Sequence, residues 1–235
     1  MIEIRDLDVS YGKKQILFDV SLQIKTGERI VFAGPNGAGK STLMKTIAGL
    51  IPANSGTILL EGENITKQPP HWRVRNGMAY LMQTGNIVPS LTVRENLLLG
   101  GFTNPGRDHE ATMAEVLLVF PFLKEKLSRR AGLLSGGERQ ALAISMILMK
   151  KPKLLLLDEP SAGLSPKAAE QILACVSTAK EEMGIDTVCM VEHRLKESLP
   201  WASKLVVLVG GRIAHIGDNP QRLLDTPHGL EQYYF

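Results

Sequence analysis

The sequence has 235 residues and a net charge of +3, with 44% hydrophobic and 22% charged residues. This is the composition of a globular protein with one sizeable core, and its slight, scattered positive charge argues against nucleic acid as a partner. No stretch approaches the roughly 20 apolar residues that span a bilayer, and the N-terminus lacks the regions of an export signal. Cys175 and Cys189 are expected to be buried small residues in a reducing compartment, which predicts a cytoplasmic location.

Alternating apolar and polar residues predict two half-buried strands near the start of the chain, at 2–9 and 20–24. Tyr11 lies between them, in a turn. Its ring is either a packed surface aromatic or, since stacking needs only a flat ring, a platform for a purine base. The residue pattern leaves both interpretations open.

Residues 34–42 read Gly-Pro-Asn-Gly-Ala-Gly-Lys-Ser-Thr, between an apolar run at 29–33 and a helical pattern at 43–50. A strand, a glycine loop and a helix in that order form the phosphate-loop pattern G-x-x-x-x-G-K-S/T. Glycines let backbone N–H groups converge on an anion, Lys40 adds a mobile charge, and Ser41 can ligate Mg²⁺. The predicted nucleoside triphosphate contacts are Gly34, Asn36, Gly37, Ala38, Gly39, Lys40, Ser41 and Thr42.

Two more strands are predicted at 57–61 and 78–82, with a turn at 62–64 after the first. The second strand is followed by Gln83. A polar side chain after a buried strand of an open α/β sheet points toward the crevice in which ligands bind. A lone glutamine at a strand end would be unremarkable, so its role depends on the other motifs.

The middle of the chain is predicted to contain helices and no strand. Thr92 and Glu95 have capping-box spacing, and apolar residues at helical spacing run through 108–126. This stretch therefore reads as a helical subdomain inserted into an α/β core. The predicted layout is a core of 1–86 and 152–235 with the insertion at 87–151.

Within the insertion, residues 134–140 read Leu-Ser-Gly-Gly-Glu-Arg-Gln and open a helix. Ser135 with Gly136 and Gly137 forms a second anion-binding helix start. Simple capping would need Ser135 alone, whereas two glycines weaken a helix start unless something approaches the backbone closely. Because this second anion-binding site lies on a separate subdomain, it does not easily reach the phosphate loop of the same chain.

The continuous apolar run at 154–157 predicts a strand buried on both faces, and it ends in Asp158 and Glu159. Asp158 can hold Mg²⁺ beside Ser41, and Glu159 can accept a proton from, or orient, the water that attacks a γ-phosphate. The two carboxylates could instead cap the next turn. Burying two like charges side by side is costly unless a cation is present.

The last third of the chain starts with a helix signalled by Ser165 and Pro166 and stopped by Gly184. A strand then leads to His193, which alone is more often structural. Here it is the fourth polar end directed at one crevice, which favours a functional role. The predicted elements are a helix at 166–183, a strand at 186–191, a hairpin of 205–209 and 212–216, and a short helix from 218.

With the phosphate loop, Gln83, residues 134–140, residues 154–160 and His193 in this order, the sequence resembles the ATP-binding subunit of an ABC transporter over essentially its whole length. The resemblance implies an α/β fold, a P-loop NTPase with a RecA-like core, an N-terminal antiparallel β subdomain and an inserted α-helical subdomain. It also implies binding of ATP and Mg²⁺ and hydrolysis of the ATP.

The same resemblance implies roles for individual residues. Tyr11 stacks on adenine, Gln83 senses Mg²⁺ and the γ-phosphate, and His193 contacts that phosphate as a switch. Two chains pair head to tail, so that Ser135, Gly136 and Gly137 complete the ATP site of the other chain. The implied catalytic residues are Glu159, His193, Gln83 and Lys40, and the implied Mg²⁺ contacts are Ser41, Gln83 and Asp158.

A finer resemblance is to the ATP-binding subunits of branched-chain amino-acid and amide importers. It rests on residues 70–73, 95–102, 120–123, 130–132 and 161–166, whereas 82–86 depart from that group. It implies transmembrane permease subunits, an extracytoplasmic solute-binding protein, and a position on the inner face of the cell membrane. The pair of ATP-binding subunits is either a homodimer or a heterodimer.

Other classes fit the sequence less well. DNA-repair or chromosome-organising ABC proteins carry long coiled-coil insertions, and ribosome-acting ones carry two such domains in a chain. A GTPase would need an Asn-Lys-x-Asp run, and a kinase would not need the Leu-Ser-Gly-Gly motif. The alternatives that stay are a subunit of another transport system, for other solutes or for lipid export, and a non-transport ABC ATPase.

Overall fold

A computed structural model describes residues 1–84, 86–102, 106 and 108–223, apart from the side chains of Arg222 and Leu223. Within this part, the chain forms two compact units, the first of 1–76 with 187–223 and the second of 77–186. The elements in chain order are β1 (Ile2–Tyr11), β2 (Lys14–Ile24), β3 (Arg29–Ala33), α1 (Lys40–Ile47), β4 (Ser55–Leu60), β5 (Glu63–Asn64), α2 (Pro70–Arg75), β6 (Met78–Leu81), α3 (Val93–Gly101), α4 (His109–Val119), α5 (Pro121–Lys124), α6 (Gly136–Leu148), β7 (Leu154–Asp158), α7 (Pro166–Glu182), β8 (Thr187–Val191), α8 (Leu195–Ser198), β9 (Lys204–Val209) and β10 (Arg212–Asp218). Short 3₁₀ turns cover Ala131–Leu133 and Pro220–Leu223.

The first unit begins with a four-stranded antiparallel sheet in the order β2-β1-β4-β5, as predicted for the N-terminal β subdomain. The second strand begins at Lys14 and not at 20, because exposed Lys14 and Gln15 join it by backbone pairing and show no apolar alternation. The predicted turn at 62–64 contains the two-residue strand β5. The buried face of β1 consists of Ile2, Ile4, Leu7 and Val9.

The same unit contains the strand that precedes the phosphate loop. β3 pairs in parallel with β8 and β9, and β10 pairs antiparallel with β9. Val31 and Ala33 pack in a fully apolar cluster with Leu199 and Leu205. A short strand that is buried on both faces fixes the point at which the loop begins.

A buried arginine holds the far end of α1. Arg73, on α2, donates from Nη1 to the carbonyls of Thr46 at 2.9 Å and Ile47 at 2.5 Å, and from Nη2 to that of Ile65 at 2.7 Å. Burial lowers the pKa of Arg73 to about 10, so the guanidinium keeps its charge at neutral pH. A cation at a helix C-terminus is favourable, since the last carbonyls carry partial negative charge.

The second unit contains the predicted helices, with one correction. The capping box of α3 is confirmed, because the Thr92 N–H donates to Glu95 Oε2 at 2.7 Å. The single helix predicted over 108–126 is wrong, since α4 ends at Val119 and α5 begins at Pro121. Proline lacks the N–H of a helix interior and clashes with the preceding turn, yet it suits a first helical position.

β6 and β7 pair in parallel in the second unit, with Leu81 opposite Leu157, so their carboxyl ends meet at one edge. The predicted start and stop of α7 are confirmed, with Ser165 as N-cap, Pro166 first and Gly184 at φ 67°. In the part of the chain that the structure describes, no helix is long and apolar enough to cross a membrane.

Candidate functional site

The phosphate loop of the first unit has a backbone that glycine makes possible. Gly34, Gly37 and Gly39 have φ angles of 130°, 80° and 99°, in the region that side chains disfavour. A Cβ on Gly34 would lie 2.0 Å from the carbonyl oxygen of Leu208. The loop therefore curls tightly, as an anion-binding nest requires.

Lys40 places a positive charge inside this curl. It is the first residue of α1, it is buried, and its Nζ donates to the carbonyls of Gly34 at 2.7 Å and Pro35 at 2.9 Å. The first turn of α1 contains no acidic residue that would oppose an anion. Ser41 is half-buried and Thr42 is buried in the same turn. The curled backbone, the Lys40 ammonium group and the hydroxyl groups of Ser41 and Thr42 together suit the binding of a polyphosphate.

The segment of His193 lies at the same edge of the first unit as the phosphate loop. β3 and β8 are parallel, with Phe32 opposite Val191, so the loop and residues 192–193 both emerge at the carboxyl ends. Glu192 is buried and accepts the backbone N–H of His193 at 3.1 Å, while the His193 side chain is exposed. The backbone of His193 is therefore fixed by a hydrogen bond, and its exposed imidazole follows β8, the strand next to β3.

Tyr11 ends β1 in the first unit, where it pairs with Lys14, and it is 49% exposed. An aromatic ring that is half-covered on its own chain has a face left for another ring. The neighbouring strand β2 backs the phosphate loop, because a Cβ on Gly39 would lie 2.6 Å from Leu17 Cδ2. The two interpretations of Tyr11 both fit this position.

Two of the predicted catalytic side chains are hydrogen-bonded to each other in the second unit. Gln83 donates from Nε2 to Glu159 Oε2 at 2.9 Å. Asp158 is the buried last residue of β7, and its Oδ2 accepts the hydroxyl of Tyr80 at 2.9 Å. Because β6 and β7 are parallel neighbours, each carboxylate is hydrogen-bonded by a side chain from β6 or from the residues that directly follow it.

Glu159 has a left-handed backbone, with φ at 52°. This conformation is uncommon for a residue with a side chain and costs about 1 kcal/mol or more. It turns the chain directly after the buried strand, so the Glu159 carboxylate reaches Gln83 while Asp158 stays buried. Such strain is often found at functional sites.

The second anion nest starts α6. Ser135 is an exposed N-cap, and Ser135 and Glu138 form a complete capping box. A Cβ on Gly137 would lie 3.3 Å from Ala168 Cβ, whereas one on Gly136 would have only Leu164 at 3.9 Å. Packing thus accounts for the second glycine, and the first leaves an open backbone. A cleft of about 480 Å³ adjoins this start of the helix.

The predicted Mg²⁺ contacts have suitable chemistry. Ser41, Gln83 and Asp158 offer hydroxyl, amide and carboxylate oxygens, the hard donors that Mg²⁺ prefers. Within the described residues, no cluster of three or more His, Cys, Asp or Glu side chains could hold a metal alone.

Three residues that contact the predicted motifs were not predicted from the sequence. Tyr80 donates a hydrogen bond to Asp158, and Glu192 accepts the backbone N–H of His193. Lys126 donates to the carboxylate of Glu138. A tyrosine in an otherwise apolar strand, and an acid directly before His193, were the only available signals. Tyr11, the phosphate loop and His193 belong to the first unit, and Gln83, Asp158, Glu159 and Ser135 to the second.

Comparisons with known proteins agree with the resemblance to ABC transporter subunits. Residues 17–162 match the protein family described as ABC transporter. The high-affinity branched-chain amino acid transport ATP-binding protein BraG of Pseudomonas aeruginosa is 42% identical, over 99% of each chain. The probable branched-chain amino acid transport ATP-binding protein LivF of Archaeoglobus fulgidus is 41% identical, over 92% of each chain. A nucleotide-free ATP-binding cassette from an ABC transporter aligns at 28% identity with a TM-score of 0.87, covering 100% of this chain and 99% of that one.

Proposed function

This chain belongs to the ABC transporter family, as a subunit that binds and hydrolyses ATP, and we propose that it powers import of branched-chain amino acids or similar small amino acids and amides. The observation that carries the substrate class is the identity of 42% and 41%, over nearly the whole chain, to two branched-chain amino acid transport proteins. Residues 82–86 depart from that group's usual sequence, and this is the observation that favours the alternative, a subunit of another transport system.

In this proposal the phosphate loop holds the triphosphate. Backbone N–H groups of 34–42 surround the phosphates, and the burial of the Lys40 ammonium inside the curl supports its contact with the β- and γ-phosphates. Ser41 and Thr42 add hydroxyl contacts at the start of α1. Tyr11 stacks on the adenine, which its half-exposed ring permits.

Hydrolysis uses the carboxylates of the second unit. Glu159 accepts a proton from the attacking water or orients it, and the Gln83 amide holds that carboxylate in place. His193 contacts the γ-phosphate. Ser41, Gln83 and Asp158 are the proposed Mg²⁺ ligands, and the ion, when bound, neutralises phosphate charge.

Two ATP-binding subunits, identical or related, are proposed to share each ATP. The exposed Ser135 and the open backbone of Gly136 support a role in completing the site of the other subunit. Mutual completion makes the interface two-fold symmetric. We also propose that the helical subdomain covers 87–151. The subunit would lie on the cytoplasmic face of the membrane, bound to transmembrane permease subunits, and the solute-binding protein would act on the outer face.

The test is transport by the complete system in proteoliposomes that contain the cognate permease subunits. With the solute-binding protein present and ATP inside, leucine uptake is expected, whereas spermidine and sulfate should not be taken up. A matched complex with Glu159→Gln should bind ATP and transport nothing. ATP-dependent uptake of a substrate other than small amino acids or amides would assign the subunit to another transport system.

A further inference from the structure

A charged network surrounds the start of α6. Glu138 Oε2 accepts the backbone N–H of Ser135 at 2.8 Å, and the Ser135 hydroxyl in return accepts the Glu138 N–H at 3.3 Å. Lys126, from the turn after α5, binds the other carboxylate oxygen, Oε1, through its ammonium group. A residue outside every recognised motif is thus connected to the serine that caps the helix.

A carboxylate at this position has two opposing effects. It stabilises the helix, since negative charge is favourable near a helix N-terminus. It also puts a negative charge in the turn where exposed Ser135 presents its hydroxyl and exposed Gly136 its backbone N–H, and a phosphate approaching them would be repelled. Capping by Glu138 and anion binding at the same helix start conflict unless the charge is neutralised.

Lys126 is placed to neutralise it. The Lys126 side chain is 26% exposed and that of Glu138 22%, so the pair is partly shielded from salt. The hydrogen bond from Lys126, followed by that from the Ser135 N–H, lowers the pKa of Glu138 to about 2. The carboxylate is therefore ionised at neutral pH, and the ammonium group of Lys126 lies against it. Lys126, Glu138, Ser135 and Gly136 line the same cleft.

We propose that Lys126 is a positioning residue for the shared ATP site: by neutralising Glu138, it allows the start of α6 to be capped and still receive the γ-phosphate held by the other subunit. The inference rests on the proposed function, because it gives Lys126 a part in completing that second site. A simple structural ion pair would stabilise the fold without affecting the affinity of the second site.

The experiment is a double-mutant cycle on the full chain in the Glu159→Gln background, which blocks hydrolysis. Glu138→Gln is the matched control, because its amide oxygen still accepts the Ser135 N–H while the charge is gone. Lys126→Met keeps the aliphatic stem of the lysine. Sedimentation at low salt gives the ATP concentration for half-maximal dimerisation, for the chain alone and with its cognate subunit. Fluorescent-nucleotide binding to each protein with Ser135→Arg added reports the phosphate loop alone.

Lys126→Met is expected to raise that ATP concentration about tenfold, since charges near a partly buried helix start have effects of this size. Lys126→Arg should stay near the parent, and Lys126→Met with Glu138→Gln should return to the level of Glu138→Gln alone. Nucleotide binding to the monomers should not change, nor should the unfolding midpoint by more than a few degrees.

Three results would overturn the proposal. An unchanged dimerisation curve in Lys126→Met would remove the positioning role and leave the shared site intact. A double variant as defective as Lys126→Met would mean that Lys126 does not act through the charge of Glu138. A parent that stays monomeric in saturating ATP, alone and with its cognate subunit, would refute the shared site itself. If Lys126→Met does not fold, Lys126→Gln takes its place, with the same tenfold rise expected alone and the same return to the level of Glu138→Gln in the double variant.

Discussion

The hydroxyl of Tyr80 donates a 2.9 Å hydrogen bond to Oδ2 of Asp158 across the parallel pair β6 and β7. Asp158 is buried, and a buried polar side chain needs hydrogen-bond partners, which also hold its orientation. Tyr80 therefore fixes one oxygen of a proposed Mg²⁺ ligand from a neighbouring strand. Outer partners of this kind tune metal affinity without touching the metal.

Tyr80→Phe is expected to keep the fold and weaken the use of Mg²⁺. Loss of the hydroxyl should raise the Mg²⁺ concentration for half-maximal ATPase activity about tenfold, in the range known for outer-shell partners. The measurement is a Mg²⁺ titration at fixed ATP, with the thermal midpoint as the control for folding. An unchanged titration would mean that Asp158 is oriented by other contacts.

Glu159→Gln is expected to separate ATP binding from turnover. Glutamine keeps an oxygen that can accept the Gln83 hydrogen bond but cannot act as a base, so ATP should bind while turnover falls by about 10²-fold or more. Lys40→Ala should weaken nucleotide binding itself. Equilibrium binding and steady-state hydrolysis distinguish the two, and near-normal turnover in Glu159→Gln would rule out this base.

Tyr11 should contribute to nucleotide affinity through its ring alone. Tyr11→Ala is expected to lose roughly 1–3 kcal/mol of ATP affinity, while Tyr11→Trp is tolerated because stacking needs only a flat π-face. Titration calorimetry on the monomer measures both. Equal affinity in wild type and Tyr11→Ala would make the residue an ordinary surface aromatic.

Arg73 should matter for stability far more than an exposed neighbour on the same helix. Arg73→Met leaves buried carbonyls at the end of α1 without their donor, so we expect a loss of about 3 kcal/mol in the free energy of unfolding. Arg75→Met, at an exposed position, should cost about 0.5 kcal/mol or less. Urea denaturation of the two variants gives the comparison, and similar losses would contradict a bracing role for Arg73.

Most of the site could be predicted because its motifs are local. The loop before Lys40 and the acids after β7 each follow a buried strand, and strand ends of an α/β sheet face a ligand crevice. The ends of α7 could be predicted for the same reason, because Ser165 and Pro166 are residues typical of a helix start and Gly184 is typical of a helix end.

What could not be predicted depends on partners that are distant in sequence. Tyr80 and Asp158 are 78 residues apart, and only the strand register brings them together. Arg73 resembles any surface arginine of a basic helix until its carbonyl acceptors, 26 and 27 residues earlier, are known. The break at Pro121 is different, since the proline was visible and the apolar periodicity through it was misleading.

The left-handed backbone of Glu159 sets protein stability against the proposed catalytic role at a single position. Glycine at 159 would adopt a φ of 52° without steric cost and should make the fold more stable by about 1 kcal/mol. A screen for thermostability that ignores ATP turnover would thus enrich variants that have lost the proposed base. Any ranking of substitutions by fold stability alone will score this glutamate as a defect, although the proposed mechanism depends on its carboxylate.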